Sequence, residues 1–305
     1  MILSVTREFS TAIVAEPRDP DSEKTKNGTG DVWALNMSVL RNFRDLANAI
    51  ISENKHLLGR LIDSPVAMRN HVVKRYGLPN GLPTIDILDL FPDFKETVDP
   101  FAYMEGGSST LDLAVLRAFA RRFKDCTYLE IGTWRGESLA NVASIAKRCI
   151  SVDLSEQELR DFGYPDEMAK NCDFFSKDLA NVERVRHSSH TYDFSRYRKS
   201  IDLAFIDGDH SYDGVRVDTQ KVFDLMRDDS SVIVWHDYGD TPERVRFGVL
   251  AGILDGCPAE KRRNLYHISN TLCAVYINGD FKTSEVVYPQ IPTKRFSVSI
   301  SSRRT

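Results

Sequence analysis

The ten residues Thr127–Gly136, TYLEIGTWRG, constrain this chain more than any other stretch. An apolar run closes on an acid, Glu130; Gly132 and Gly136 come next, and helical spacing starts at Glu137. That order predicts a strand, a tight turn and a helix N-terminus. Glycine accepts positive φ and lets another group come close to the backbone. The helix start offers unpaired N–H groups and a partial positive charge. The spacing is acid-x-Gly-x-x-x-Gly, not the Gly-x-Gly-x-x-Gly of dinucleotide binders, which argues against an NAD-linked oxidoreductase. Many strand-to-helix turns contain two glycines, so this one gains its weight from the residues C-terminal to it.

Strand-like runs recur at 127–131, 149–154, 173–176, 201–206 and 231–236, with helical runs at 137–147, 155–161 and 212–227 between them. Such alternation implies a parallel sheet with helices on both faces. A helix near 242–255 and strand candidates at 264–269 and 272–278 would close the sheet as an antiparallel hairpin. The expected fold is α/β, a doubly wound, Rossmann-like sheet of seven strands. Ahead of it, residues 16–31 are polar and rich in turn formers, and read as a loop or a disordered arm. Apolar residues recur at helical spacing from Trp33 to Ile62. Ser64-Pro65 predicts a helix start and Gly77 its stop. Residues 78–107 read mostly as loop, and 111–123 as a helix capped near Ser109. The division is an N-terminal arm and helical extension over 1–105 and a ligand-binding domain over 106–305. The N-terminal helices would serve as a lid, a homo-oligomer surface or a cover for the core.

A composition of 42% hydrophobic and 28% charged residues suits a soluble globular protein. The net charge of -4 gives no reason to expect nucleic acid. No apolar run nears the ~20 residues that span a bilayer, so no membrane partner is expected. The opening MILSVTREFSTAIV is broken by Arg7 and Glu8 and reads as no signal peptide. Five cysteines lack metal-type spacing, and Cys149 and Cys273 sit in strand-like runs. They read as reduced thiols in a cytoplasmic protein.

In open α/β sheets, ligands bind at the carboxyl ends of the strands. Four successive runs lead to acids there: Glu130, Asp153, Asp178 and Asp207. One alone would be a solvated loop end or a helix cap; four beside a glycine turn predict a cofactor site. An acid ending the second strand can accept both hydroxyls of a ribose, the role expected of Asp153.

The Glu130-x-Gly132-x-x-x-Gly136 pattern resembles motif I of class I methyltransferases, which bind S-adenosylmethionine. IDGDHSYDGVRVDTQKVFDLM and SVIVWHDYG strengthen the likeness, which covers roughly 105–280. Together they resemble a subgroup related to metal-dependent small-molecule and sugar O-methyltransferases. The resemblance implies cofactor contacts at Glu130, Gly132, Gly136 and Asp153, with Asp178 at the adenine amino group. Trp134 would lie on the cofactor or pack the turn. The resemblance also implies a divalent cation, Mg²⁺ or Mn²⁺, held by Asp207, His236 and Asp237. Adjacent strand ends lie about 5 Å apart, so such groups can share one ion. His236 stands where those relatives carry an acid, and imidazole suits Mn, Zn or Fe better than Mg. Two readings therefore stay open. Either the trio holds an ion, or Asp207 orients the cofactor while His236 and Asp237 shape the pocket without one.

His210 occupies the position of the general base in the metal-dependent relatives; the alternative is a structural histidine bonded across the strand turn. His187 and His190 read as surface residues. The expected function is transfer of a methyl group to a hydroxyl of a small molecule, a sugar or natural-product intermediate. A metal-independent N- or carboxyl-methyltransferase and a non-catalytic cofactor-binding subunit are the competing readings.

Overall fold

The computed structural model describes residues 64–304. The helical run at 33–62 lies outside them. The first described helix, α1 (Pro65–Tyr76), starts with proline in its first turn and ends at Gly77, whose φ of 71° lets its N–H return to the Val73 carbonyl. Both ends match the signals in the sequence, although the Ser64 side chain makes no capping bond.

Eight further segments build the centre of the fold. They are β2 (Thr127–Ile131), α4 (Glu137–Ala143), β3 (Arg148–Asp153), β4 (Val182–Arg186), β5 (Leu203–Ile206), α7 (Tyr212–Leu225), β6 (Val232–Trp235) and α8 (Phe247–Gly256). Strands β4, β3, β2, β5 and β6 lie in that order and are all parallel. β10 (Ala274–Tyr276) runs antiparallel beside β6, and β9 (Leu265–Ile268) antiparallel beside β10. Six of these seven strands lie at positions expected from the sequence. Two short ones extend that edge: β1 (Thr84–Ile85) beside β9, and β11 (Thr283–Ser284) beside β1. Among the described residues the sheet thus has nine strands. Two residues of alternation are too few to register in a sequence otherwise full of prolines. A separate ribbon pairs β7 (Gly239–Thr241) with β8 (Arg244–Val245).

Both faces of the sheet are covered, so its central strands read as continuous apolar runs. Tyr128, Leu203 and Phe205 pack with α3 (Thr110–Ala120) and α4 on one side. Leu129, Ile131, Ala204 and Ile206 pack with α7 and α8 on the other. The described part of the predicted extension is built into this body. β1 joins the sheet, α1 packs on α8, and a further short helix, α2 (Ile87–Leu90), comes after β1. Between β3 and β4 the chain forms α5 (Glu156–Asp161) and α6 (Asp166–Lys170).

The strand expected at 173–176 is a turn instead, and the strand that takes its place is β4. Asp173 has a φ of 69°, and the N–H groups of Asp173 and Phe175 bond the carbonyls of Trp134 and Arg135 in the glycine turn. β4 reads VERVR because it is the edge of the sheet and only partly buried, which masks the alternation. No helix among the described residues is long and apolar enough to cross a membrane.

Candidate active site

The chain winds from β2 out to β4, then returns to β5 on the other flank of β2. The carboxyl ends of β2 and β5 therefore flank the switch point of the sheet, where open α/β folds leave a crevice. The glycine turn lies directly after β2. Gly132, Trp134 and Gly136 have φ of 85°, 48° and 79°. The Gly132 N–H bonds the Val152 carbonyl at 2.9 Å. A Cβ on Gly132 would stand 2.3 Å from the Asp207 carbonyl oxygen, and one on Gly136 would stand 2.3 Å from the Ser176 hydroxyl. Neighbouring protein alone therefore requires glycine at both positions. Gly132 lets the ends of β2 and β5 touch.

Glu130 is fully buried below the turn. Its carboxyl meets the Tyr128 hydroxyl at 2.5 Å and the Ser138 hydroxyl at 3.0 Å. Burial pushes its pKa up to about 8, against the pull of both bonds. It braces the turn and the first residues of α4 from beneath. Asp153 is half-buried at the end of β3. Its Oδ2 accepts from the backbone N–H groups of Thr133 and Trp134, at 3.1 Å each, and its Oδ1 from Leu154 at 2.8 Å. A carboxylate has about four acceptor positions, so capacity for a ligand remains. The indole N–H of Trp134 is buried beside Gly106 and has no partner among the described residues.

Asp178 does not join these groups. It is exposed and lies four residues ahead of β4, whereas the crevice is at the carboxyl ends of the strands. Placing a strand at 173–176 shifted the register and put Asp178 at the wrong end. His187 and His190 are exposed, as expected.

Asp207, His236 and Asp237 do come together. They end β5 and β6, and one donor atom from each lies within 4.8 Å of the others. The Nδ1 of His236 is 3.1 Å from Asp207 Oδ1 and 3.2 Å from Asp237 Oδ2. Its Nε2 is 3.4 Å from Oδ2 of Asp112, a residue the sequence reading missed. None of these contacts has the in-line geometry of a hydrogen bond. Burial alone would lower the pKa of His236, but Asp207, Asp112 and Asp237 outweigh it and hold it well above the usual value. Asp237 is pulled the other way. Burial raises it, and His236, His210 and Arg246 bring it down to about 2. Arg246 pairs with Asp237 Oδ1 at 2.8 Å.

The Nδ1 of His210 lies 3.1 Å from Asp237 Oδ2, and its side chain is 42% exposed. The structure therefore brings His210 to the same carboxylate as His236. Asp209, by contrast, spends both oxygens on Ser211 and shapes the start of α7.

A strap over residues 99–108 crosses from α4 to this cluster. Glu137 accepts from the Ala102 N–H, Asn141 holds Asp99 and Pro100, and Arg135 holds the Glu105 carbonyl. Ser108 reaches Asp207 Oδ2 at 3.3 Å. These grips join a proline-rich loop to a helix 30–40 positions away, and no local pattern announces them.

Residues 129–238 match a family model described as a methyltransferase domain. The match begins in β2 and ends just past the His236–Asp237 pair. That stretch is similar to a methyltransferase domain. Protein R132 of Acanthamoeba polyphaga mimivirus is 29% identical over 154 residues, 45% of this chain and 63% of that protein. The chain thus spans less than two thirds of that relative, and half of the length of some solved structures it matches. The O-methyltransferase TomG from Streptomyces achromogenes, solved with SAM, is 15% identical, with 57% of this chain and 82% of that one covered and a TM-score of 0.39. An O-methyltransferase from Bacillus cereus, solved with SAH, is 13% identical, with 70% and 91% covered and a TM-score of 0.41.

Proposed function

We propose that the protein methylates a hydroxyl of a small molecule with S-adenosylmethionine, assisted by a divalent cation. The observation that carries this reading is the convergence of Asp207, His236 and Asp237 at the switch point, directly beside the glycine turn. The residues suit the cofactor. Asp153 has spare acceptor capacity toward a ribose, and Trp134 has an unspent buried N–H. S-adenosylmethionine would supply a methyl group activated on a sulfonium.

The trio suits a cation too. Two cis ligands of an ion at about 2.1 Å lie about 3 Å apart. The spacings of His236 Nδ1 to Asp207 and to Asp237, 3.1 and 3.2 Å, are of that size. Its buried nitrogens also lack in-line donors or acceptors. A bound ion would make a coordinated acceptor hydroxyl more acidic and fix its position. The remaining work falls to the chain. Asp237 Oδ2 lies 3.1 Å from Nδ1 of His210, and hydrogen on that nitrogen would leave the Nε2 lone pair to take the acceptor's proton. The strap reaches Asp207 through the Ser108 hydroxyl.

A second reading rests on the three carboxylates around His236. A protonated imidazole there would itself neutralise the acids, and no ion would be needed. Chelation separates the two. The metal reading expects activity to fall in EDTA and return with Mn²⁺, and full activity in chelator overturns it. Binding of S-adenosylhomocysteine but not NAD, measured by titration calorimetry, tests the cofactor; no binding would overturn that part.

A further inference from the structure

We infer that Asp112 is a positioning residue, which orients His236 so that Nδ1 faces the cation site. The inference rests on the metal reading. Asp112 belongs to α3, outside residues 129–238 and so outside the matched methyltransferase domain. It is fully buried. Both oxygens of its carboxylate are fixed by the fold. Oδ1 accepts from the Leu272 N–H at 3.0 Å, and Oδ2 accepts from the Ser109 N–H at 2.9 Å as part of a capping box. The same Oδ2 stands 3.4 Å from Nε2 of His236. A buried carboxylate anchored at both oxygens and placed against an imidazole selects the tautomer with hydrogen on Nε2. The lone pair is then on Nδ1, the atom that faces Asp207 and Asp237 at 3.1 and 3.2 Å.

The charge count explains why an acid belongs there. A ligand set with an acid at position 236 would carry three carboxylates. Here a neutral imidazole replaces one of them, and Asp112 behind it restores the third negative charge. Histidine ligands backed by a carboxylate are oriented more firmly and bind metal more tightly than unsupported ones. A nitrogen-tolerant ion such as Mn²⁺ suits the resulting set better than Mg²⁺.

The test is Mn²⁺ binding to the full-length protein without substrate, read from the loss of the free-ion signal in electron paramagnetic resonance. Asp112→Asn, which keeps shape but removes charge, should bind Mn²⁺ about 10- to 100-fold more weakly than wild type. Ser109→Ala, which weakens the same helix cap but leaves Asp112 in place, should bind like wild type. Asp207→Asn reports on the metal site itself. If Asp207→Asn loses Mn²⁺ but Asp112→Asn binds like wild type, the inference is overturned and the metal reading stands. If Asp207→Asn binds like wild type, both are overturned. A measurement on wild type covers the case in which Asp112→Asn does not fold. In the diamagnetic Zn²⁺ form, nitrogen-correlated NMR should show His236 carrying hydrogen on Nε2. Hydrogen on Nδ1 would overturn the inference.

Discussion

Gly132→Ala should destabilise the ligand-free protein, and its magnitude comes from two separable costs. The first is conformational. Gly132 sits at a φ of 85°, where a residue with a Cβ loses roughly 1–2 kcal/mol. The second is steric. The new methyl would stand 2.3 Å from the Asp207 carbonyl oxygen, 2.5 Å from its carbon and 2.6 Å from Gly208 Cα, all backbone. Ordinary contact would require the ends of β2 and β5 to part by about 1 Å, an overpacking cost of typically 1–3 kcal/mol. The sum, about 2–5 kcal/mol, is a large part of a stability of roughly 5–15 kcal/mol. At about 2–4 °C per kcal/mol for a domain of this size, Tm should fall by roughly 5–20 °C. Gly77→Ala is the internal control. It has a φ of 71° with nothing within 4 Å of its added methyl, so it should show the conformational cost alone. Thermal unfolding measured by circular dichroism, without ligand, gives both numbers. Equal Tm values for Gly132→Ala and Gly77→Ala would refute the steric argument. Loss of S-adenosylhomocysteine binding with an unchanged ligand-free Tm would show that the glycine serves the ligand instead.

Three further outcomes are expected. Asp153→Ala strips the acceptor from two turn N–H groups, so it should cost about 1–3 kcal/mol in denaturant unfolding and also weaken S-adenosylhomocysteine in calorimetry; unchanged affinity would remove Asp153 from the cofactor site. His210→Ala should lower kcat by ~100- to 10,000-fold with cofactor affinity near wild type, and a variant that keeps most of its kcat would make His210 structural. Glu130 titrates near 8 when folded against an ordinary 4.5, so the folded state holds the extra proton between those values and loses stability as pH rises through them. Glu130→Gln has no such titration, so its Tm relative to wild type should climb from pH 5 to pH 9; a constant difference would contradict the raised pKa.

The parts of this fold legible in the sequence were those set by local chemistry. Gly77 ends α1, the central strands are apolar because both their faces are covered, and the two glycines mark the turn after β2. The grouping of Asp207, His236 and Asp237 was implied by the resemblance, and each follows directly on a buried strand, which places it at the carboxyl end of the sheet. Legibility failed where the backbone took its partners from far away. Residues 173–176 look like a strand, yet the N–H groups of Asp173 and Phe175 go to the glycine turn. β4 looks polar because it is an edge, and the resulting register error misplaced Asp178. Asp112 was readable only as a member of a helix cap with Ser109. Its meeting with His236 joins residues 124 positions apart, and no spacing rule reaches that far.

The placement of Asp112 also bears on why this cluster cannot be left without a positive charge. Asp112, Asp207 and Asp237 all lie against one imidazole, and like charges that close in a poorly hydrated place repel strongly. Asp237 has Arg246 and His210 as further partners, and Asp112 has two backbone N–H groups. Asp207 has only the Ser108 hydroxyl besides His236 among the described residues. The unmet demand is therefore concentrated on Asp207, the residue whose carbonyl touches the glycine turn. Asp207, with His236 and Asp237, would hold a divalent ion that supplies this charge, whereas a proton on the imidazole would supply it without an ion. The two differ at one measurable point. Asp207→Asn removes the demand, so it should abolish metal-dependent activity on the first account. On the second it should leave activity insensitive to both EDTA and Mn²⁺.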